Sequence, residues 1–264
     1  MAHQARKRFG QNFLKDPVVI SQILACAQIQ SGQHWVEIGP GLGALTGPLL
    51  KTGVQLEVVE LDRDLVTYLH DKFSRSTNLT IHSADALEFA FTALVQPGEK
   101  LRVIGNLPYN ISTPLLFHLL SQAPAIADMH FMLQKEVVDR ICAAPGSKTY
   151  GRLSIMMQYY CAAEWVFDVP PESFEPAPKV MSAIVRLIPH PTIPDHHQAA
   201  ALSQLVTQAF SQRRKTLRNA LSKMIPEDAF PACGIDPGLR PEMLDLEAFL
   251  RLTRYFVNQK ETMC

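Results

Sequence analysis

Between residues 34 and 133 the chain alternates short apolar runs with helix-length amphipathic stretches. This alternation limits its fold more than any other feature. Residues 34–38, 56–61, 79–82, 101–105 and 130–133 have the length and composition of strands. Helical patterns fill the gaps near 43–52, 64–74, 86–95 and 113–122. Strands so separated do not pair as hairpins; they become parallel neighbours with helices on both faces. Asp16-Pro17 and Thr113-Pro114 each read as a helix cap followed by proline at the first helical position. The rhythm then changes. Residues 165–169 and 180–188 read as two strands joined by a proline-rich loop with no room for a helix, hence an antiparallel pair at the sheet edge. Three prolines in 189–195 read as a linker, and only helical periodicity follows, as in Leu202-Leu205-Val206-Ala209-Phe210. The expected fold is α/β, a mostly parallel sheet with an antiparallel edge strand over 1–190, then a small all-helical domain over 195–264.

Composition excludes several classes. Apolar residues are 47% of the chain, enough for a large core, and 25 basic against 25 acidic residues exclude a polycationic tail. No apolar run reaches the roughly 18 residues of a membrane helix. The N-terminal charges have no apolar run behind them, so a signal peptide is not expected. Cysteines at 26, 142, 161, 233 and 264 are odd in number and widely spaced. They fit neither a disulfide framework nor a metal site, and are expected to be reduced, mostly buried thiols of a cytoplasmic protein.

Glu37-Ile38-Gly39-Pro40-Gly41-Leu42-Gly43 follows the first strand and opens a helical pattern. Glycines there let the backbone turn tightly and approach a ligand, with the amides of the next turn facing the same spot. Gly39, Gly41 and Ala44 also satisfy a relaxed dinucleotide fingerprint. Glu60 ends the second strand, where a carboxylate can accept both hydroxyls of a ribose. That feature is common to NAD and S-adenosylmethionine enzymes and does not choose between them. Asp62 is expected to cap the next helix. Asp85, just after the third strand, could accept from an adenine amine or cap a helix.

Gly105-Asn106-Leu107-Pro108-Tyr109 after the fourth strand decides. It stands at the carboxyl edge of the sheet, where open α/β folds bind ligands. The Asn106 side-chain oxygen and a backbone carbonyl at Leu107 or Pro108 can accept both protons of an exocyclic amine. Pro108 stiffens the turn and adds no competing donor. Tyr109 offers a flat face to a base, worth about 1–3 kcal/mol. A dehydrogenase has no use for this motif.

With these motifs the chain resembles, over essentially its whole length, the KsgA/RsmA family of ribosomal RNA adenine dimethyltransferases. The resemblance rests on Lys7-Arg8-Phe9-Gly10-Gln11-Asn12-Phe13-Leu14, the 37–43 loop, Gly105-Asn106-Leu107-Pro108-Tyr109-Asn110-Ile111-Ser112, Gln134-Lys135-Glu136-Val137, and Phe174-Glu175-Pro176-Ala177-Pro178-Lys179-Val180 after Val169-Pro170-Pro171. It implies a Rossmann-like methyltransferase sheet with S-adenosylmethionine as cofactor. Asn12 and Leu14 would close over the cofactor, Gly39 and Gly41 lie against it, Glu60 hold its ribose, Asp85 its adenine, and Asn106 border both cofactor and target. Asn106, Leu107, Pro108 and Tyr109 would receive the target adenine, with Phe174 as a second aromatic wall. The implied substrate is a pair of adjacent adenosines in the 3′-terminal hairpin loop of small-subunit (16S) rRNA in an immature 30S particle. The protein is expected to be a monomer, with no metal.

Charge is segregated. Residues 1–15 carry Arg6, Lys7, Arg8 and Lys15 with no acid; residues 210–223 carry Arg213, Arg214, Lys215, Arg218 and Lys223 with none. Such runs fit phosphate contacts, though they also fit a solvated helix face. Lys148, Arg152 and Lys179 are further candidates. The nine histidines show no metal-ligand spacing, and Trp35, Trp165, Met156 and Met157 read as packing residues. Three alternatives stay open: an Erm-type enzyme of large-subunit rRNA, a mainly non-catalytic small-subunit assembly factor, and, least supported, an NAD dehydrogenase.

Overall fold

The structure, a computed structural model, describes residues 11–192, 194–212 and 214–262. Its contacts fall into two compact units: one runs up to Val138 and resumes over Glu164–Pro189, the other joins Asp139–Ala163 to the chain from His190 onward. The sequence reading put a single cut near 190, whereas 139–163 belongs to the second unit.

The first unit is built on a seven-stranded sheet. Strand β1 (Phe13–Leu14) and helix α1 (Pro17–Ala27) precede it. Then come β2 (His34–Ile38), α2 (Thr46–Lys51), β3 (Gln55–Glu60), α3 (Arg63–Lys72), β4 (Leu79–Ser83), β5 (Leu101–Asn106), α4 (Ser112–Ser121), β6 (Ile126–Gln134) and α5 (Lys135–Ile141). After α6 (Arg152–Tyr160) follow β7 (Cys161–Val169), β8 (Phe174–Glu175) and β9 (Ser182–Pro189). The order in the sheet is β4-β3-β2-β5-β6-β9-β7. From β4 to β6 neighbours are parallel, and β9 is antiparallel to β6. The two late strands of the sequence reading do stand side by side at the edge. β1 and β8 form a separate antiparallel pair, Phe13 opposite Glu175 and Leu14 opposite Phe174.

Central strands are buried on both faces, so they read as continuous apolar runs: Trp35, Val36 and Ile38 of β2 and Leu101, Val103 and Ile104 of β5 are all at most 2% exposed. Two charged residues interrupt these runs, Glu37 of β2 and Arg102 of β5, and Arg102 is fully partnered. Its Nε and Nη2 donate to both Asp128 oxygens at 2.7 Å, Nη2 also reaches the Ala27 carbonyl at 2.7 Å, and the guanidinium stacks 4.3 Å from the Trp35 ring centre. Such a paired fork is the form in which a buried guanidinium is tolerated.

Asp16 caps α1 as expected, accepting from Val18 N at 2.9 Å, and Asp62 caps α3 through Asp64 N at 3.1 Å. Thr113 does not cap α4; it lies inside the helix, whose cap position is Ile111. The helix expected over 86–95 is only a 3-10 turn at Phe91–Leu94. Side chains of α4 and its C-cap take the backbone groups of this segment: Gln122 Oε1 accepts from Thr92 N at 3.1 Å, and His118 Nε2 lies 2.8 Å from the Phe89 carbonyl. Helical hydrogen bonding has lost to tertiary partners there. Helices α5 and α6 had no counterpart in the sequence reading.

The second unit contains α7 (His196–Phe210), α8 (Leu217–Leu221), α9 (Ala229–Ala232) and α10 (Leu246–Thr262). Leu202, Leu205, Val206 and Ala209 of α7 and Phe249, Leu252 and Phe256 of α10 are buried, as their spacing predicts. Of the described cysteines, all free, Cys161 alone is buried; Cys26, Cys142 and Cys233 are partly exposed, against expectation. Trp165 is also corrected: it is 47% exposed, whereas Trp35 is fully buried.

Candidate active site

The strand order runs outward from β2 in one direction through β3 and β4, and from β5 in the other through β6. The reversal between β2 and β5 opens a crevice at their carboxyl ends, the general position of ligand sites in open α/β sheets. A cavity of about 280 Å³ lies there, lined by Ile38 and Gly39 at the end of β2, Glu60 and Leu61 at the end of β3, Ala84 and Asp85 just after β4, and Asn106 and Leu107 at the end of β5. Asn12, Leu14, Gly41, Pro108 and Tyr109 complete the lining among the residues singled out from sequence.

Two glycines make this approach possible. Gly39 has φ +65°, a left-handed conformation that carries its backbone from β2 across the strand ends. Gly105 lies so close to β2 that a Cβ there would stand 2.6 Å from the Ile38 carbonyl oxygen.

Glu60 is 7% exposed. Its Oε1 accepts from Asp62 N at 2.9 Å and its Oε2 from Gly41 N at 3.4 Å. Burial raises its pKa, while those hydrogen bonds oppose the rise. Behind it stands Glu37, buried at 2% exposure, with Thr46 Oγ1 donating to its Oε2 at 2.6 Å. Burial pushes the Glu37 carboxyl up to about 7; the Thr46 bond pulls it down, and the Glu60 charge adds to the rise. Asp85 closes a turn, accepting from Leu87 N at 2.9 Å. It caps no helix, because none follows.

Asn106 donates its side-chain Nδ2 to the Asn12 carbonyl at 2.9 Å, leaving its oxygen as the side chain's acceptor. The backbone turns out of β5 with Leu107 N bonded to the Met132 carbonyl at 3.1 Å, and Ile111 N returns to the Pro108 carbonyl at 3.2 Å. The Tyr109 hydroxyl lies 2.6 Å from Ser182 Oγ on β9, so the ring is held at its far end. Burial raises the phenol pKa and the Ser182 bond lowers it.

Phe174 does not join this cavity. It is 1% exposed, packed in the core cluster with Leu14, Val19 and Ile23, and paired opposite Leu14. A wall at that position would require the side chain to leave the core. Of the basic candidates, Arg6, Lys7, Arg8 and Arg213 lie outside the described residues. Lys179 is exposed before β9, and Lys148 and Arg152 are exposed before and at the start of α6, where Arg152 Nη2 donates to Ser203 Oγ at 3.5 Å. Arg214 and Lys215 are exposed between α7 and α8, and Arg218 is paired with Glu227 at 2.9 Å. Glu37 and Ser182 were not singled out as site residues. The carboxylate of Glu37 was visible as the first residue of the glycine loop; Ser182 carries no local signal, since its contact with Tyr109 spans 73 residues.

The donor set fits a nucleoside. A buried carboxylate with lone pairs to spare suits ribose hydroxyls, an aspartate at the next strand end suits an amine, and the apolar lining of Ile38, Leu61 and Leu107 suits a base. Among the described residues no group of three or more His, Cys, Asp or Glu could hold a metal.

The model of the family described as ribosomal RNA adenine dimethylase matches residues 2–261. The ribosomal RNA small subunit methyltransferase A of Marinomonas sp. is 56% identical over 98% of this chain and 97% of its own; that of Pseudomonas putida is 54% identical over the same shares. Among solved structures, a dimethyladenosine transferase from Plasmodium falciparum matches with TM-score 0.78 and 27% identity over 94% of this chain and 98% of its own. The 23S rRNA methyltransferase ErmE matches with TM-score 0.71 and 27% identity over 93% and 100%. The chain belongs to the ribosomal RNA adenine dimethylase family.

Proposed function

We propose that this chain transfers methyl groups from S-adenosylmethionine to the exocyclic amines of two adjacent adenosines in the 3′-terminal hairpin loop of 16S rRNA, giving dimethyladenosines during assembly of the 30S subunit. The observation that carries this reading is the Asn106–Asn12 bond, which commits the side-chain nitrogen and leaves the oxygen as acceptor beside a cavity whose other strand ends present Glu60 and Asp85. The identity to small-subunit methyltransferases over nearly the whole chain favours this substrate over the large-subunit alternative.

When bound, S-adenosylmethionine supplies a methyl group already activated on a sulfonium. Gly39, Gly41, Glu60 and Asp85 would hold it, with Asn12 and Leu14 above. The protein's work is then positioning. An adenine amine is a poor nucleophile because its lone pair is delocalised into the ring. The Asn106 oxygen and the carbonyl at Leu107 or Pro108 accept hydrogen bonds from its two N–H groups, and from the one that remains in the second transfer, which orients the nitrogen and favours its tetrahedral form. Orientation of this kind supplies up to about 7–11 kcal/mol. The target base leaves its stack, and the Tyr109 ring replaces the lost stacking. Each transfer would break the sulfonium–methyl bond and release S-adenosylhomocysteine; no side chain need act as a dedicated base, because the amine grows more acidic as its new bond forms and its proton passes to water.

The partner is the small subunit and its rRNA, bound in part through exposed basic residues such as Lys179, Arg214 and Lys215. The place of action is the cytoplasm, and the acting form a monomer. No helix among the described residues is long and apolar enough to cross a membrane. Expression in a host lacking these modifications tests the reading by primer extension on its rRNA. Two adjacent stops in the 3′ hairpin of the small-subunit RNA are expected; stops in large-subunit RNA instead would move the substrate.

A further inference from the structure

The two tryptophans occupy opposite environments. Trp35 is fully buried, whereas Trp165 on β7 is 47% exposed. An exposed tryptophan is ordinarily free to turn, but this one is fixed. Its Nε1 donates to Asp168 Oδ1 at 3.0 Å, and the same oxygen receives Lys135 Nζ at 3.2 Å. Lys135 Nζ also stands 6.0 Å from the Trp165 ring centre. Asp168 thus binds the indole edge and the ammonium together. The one polar atom of the indole is used, and what remains for a ligand is ring surface. Val180 at 45% and Met181 at 39% exposure add apolar surface on the approach to β9.

The position of this platform is set by the sheet. β7 neighbours β9. Ser182, the first residue of β9, holds the Tyr109 hydroxyl and pairs across the ladder with Gln134. Lys135 follows Gln134 directly, and its N–H donates to the Met181 carbonyl at 2.9 Å. One strand spacing, about 4.8 Å, separates the β9 backbone from that of β7. The rim that presents Tyr109 therefore continues over β9 toward Lys135, Asp168 and Trp165.

We propose that Trp165, pinned by Asp168 and flanked by Lys135, is a stacking platform for an unpaired base of the RNA substrate outside the target pocket. This rests on the reading that the Tyr109 pocket receives an RNA adenine. Three features favour a base as occupant. A strand whose one base enters the pocket must carry its other nucleotides across the adjoining rim. A single aromatic with two aliphatic neighbours offers a few hundred Å² at most, well below the roughly 1,000 Å² of a stable protein interface, but it matches one base face. The local charges, Lys135 with Asp168 and Arg186 with Glu164, are largely balanced, which suits stacking rather than phosphate binding. The fit is tolerant of sequence, because every base has a π face.

Trp165→Ala and Trp165→Phe separate stacking from structure, since the side chain is exposed and phenylalanine keeps a ring. With undermethylated small subunits as substrate, Trp165→Ala is expected to raise KM about tenfold, with kcat and the Kd for S-adenosylmethionine unchanged. Trp165→Phe is expected to recover most of the loss. Single-stranded oligoadenylate is expected to quench the fluorescence of the wild-type protein and not that of Trp165→Phe, whose remaining Trp35 is buried. An unchanged KM in Trp165→Ala, or a raised KM that phenylalanine does not recover, overturns the platform while leaving the methyltransferase reading intact. Quenching by intact subunits with none by either oligoadenylate or protein-free small-subunit rRNA also overturns it and assigns the face to a ribosomal protein. A wild-type protein that modifies no rRNA overturns the functional reading itself.

Discussion

The side-chain amide of Asn106 donates to the backbone carbonyl of Asn12, 94 residues away in the sequence, at 2.9 Å. One bond thereby fixes the side chain's orientation and joins the end of β5 to the segment before β1. Removing it should take away both the acceptor and its alignment. Asn106→Ala is expected to lower kcat at least about 10²-fold, in the range seen when one preorganised hydrogen-bonding group is deleted. Asn106→Asp should do no better, because a carboxylate facing the Asn12 carbonyl sets acceptor against acceptor. Single-turnover rates on undermethylated small subunits measure both.

Glu60 is asked to hold a ribose. Replacing it with alanine removes a charged acceptor of two hydroxyls, each such bond worth about 1.5–3 kcal/mol. The Kd for S-adenosylmethionine should rise at least about tenfold by calorimetry. Glu60→Gln, which keeps one acceptor oxygen, should fall between alanine and wild type. Equal affinity in all three would remove Glu60 from the cofactor site.

Two buried groups give opposite pH dependences of stability. Burial holds the Glu37 carboxyl up to about 7, above its ordinary value of about 4.5, so the native state binds a proton that the unfolded chain has released. Its contribution is full below about pH 4.5 and is lost as pH rises to 7, about 3 kcal/mol in all. His130, 2% exposed with neither ring nitrogen hydrogen-bonded, is held down to about 4 from 6.5, chiefly by burial. Its contribution is present above about pH 6.5 and is lost as pH falls toward 4. The two slopes offset each other in the wild type between about pH 4.5 and 6.5. Glu37→Gln should expose a rise in stability with pH over that window, and His130→Asn a fall, by urea denaturation at each pH.

Gly105 has no room for a side chain. In Gly105→Ala the new methyl would stand 2.6 Å from the Ile38 carbonyl, so β2 and β5 must part where they pair. A loss of about 3 kcal/mol is expected, the upper part of the overpacking range, read as a lower urea midpoint with the m-value unchanged. A loss under about 0.5 kcal/mol would mean the strands separate freely there.

Arg214 and Lys215 are exposed in the turn between α7 and α8. If they meet phosphates, each alanine substitution should weaken binding of small-subunit rRNA and reduce the slope of log K against log salt by about one. Arg218, already paired with Glu227, should contribute less. An unchanged salt slope would make these residues an ordinary solvated turn.

Much of this was legible in the sequence, for physical reasons. Strands such as β2 and β5 are buried on both faces, so they read as short, mostly apolar runs, each broken by one charged residue (Glu37, Arg102), between helical patterns. The loops after β2, β3, β4 and β5 carry their chemistry locally, in glycines and in acids or amides at strand ends, and the sheet gathers them without further information. What depended on distant partners was hidden. The 86–95 segment satisfies helical periodicity, but Gln122 and His118 take its backbone groups. Phe174 reads as a free aromatic in a proline-rich loop, yet the two-residue pairing of β8 with β1 draws it into the core. Trp165 reads as a packing residue of the edge pair, but which of the two strands lies outermost is set only by the strand order, and it is the one that carries Trp165.

The central claim is that the Asn106 cavity methylates adenosine in small-subunit rRNA. The most direct measurement is nucleoside analysis of small- and large-subunit RNA after incubation with labelled S-adenosylmethionine and either wild-type or Asn106→Ala protein. Labelled dimethyladenosine is expected in the small-subunit RNA alone, and only with the wild type. Label in large-subunit RNA, or undiminished dimethyladenosine from Asn106→Ala, would contradict it.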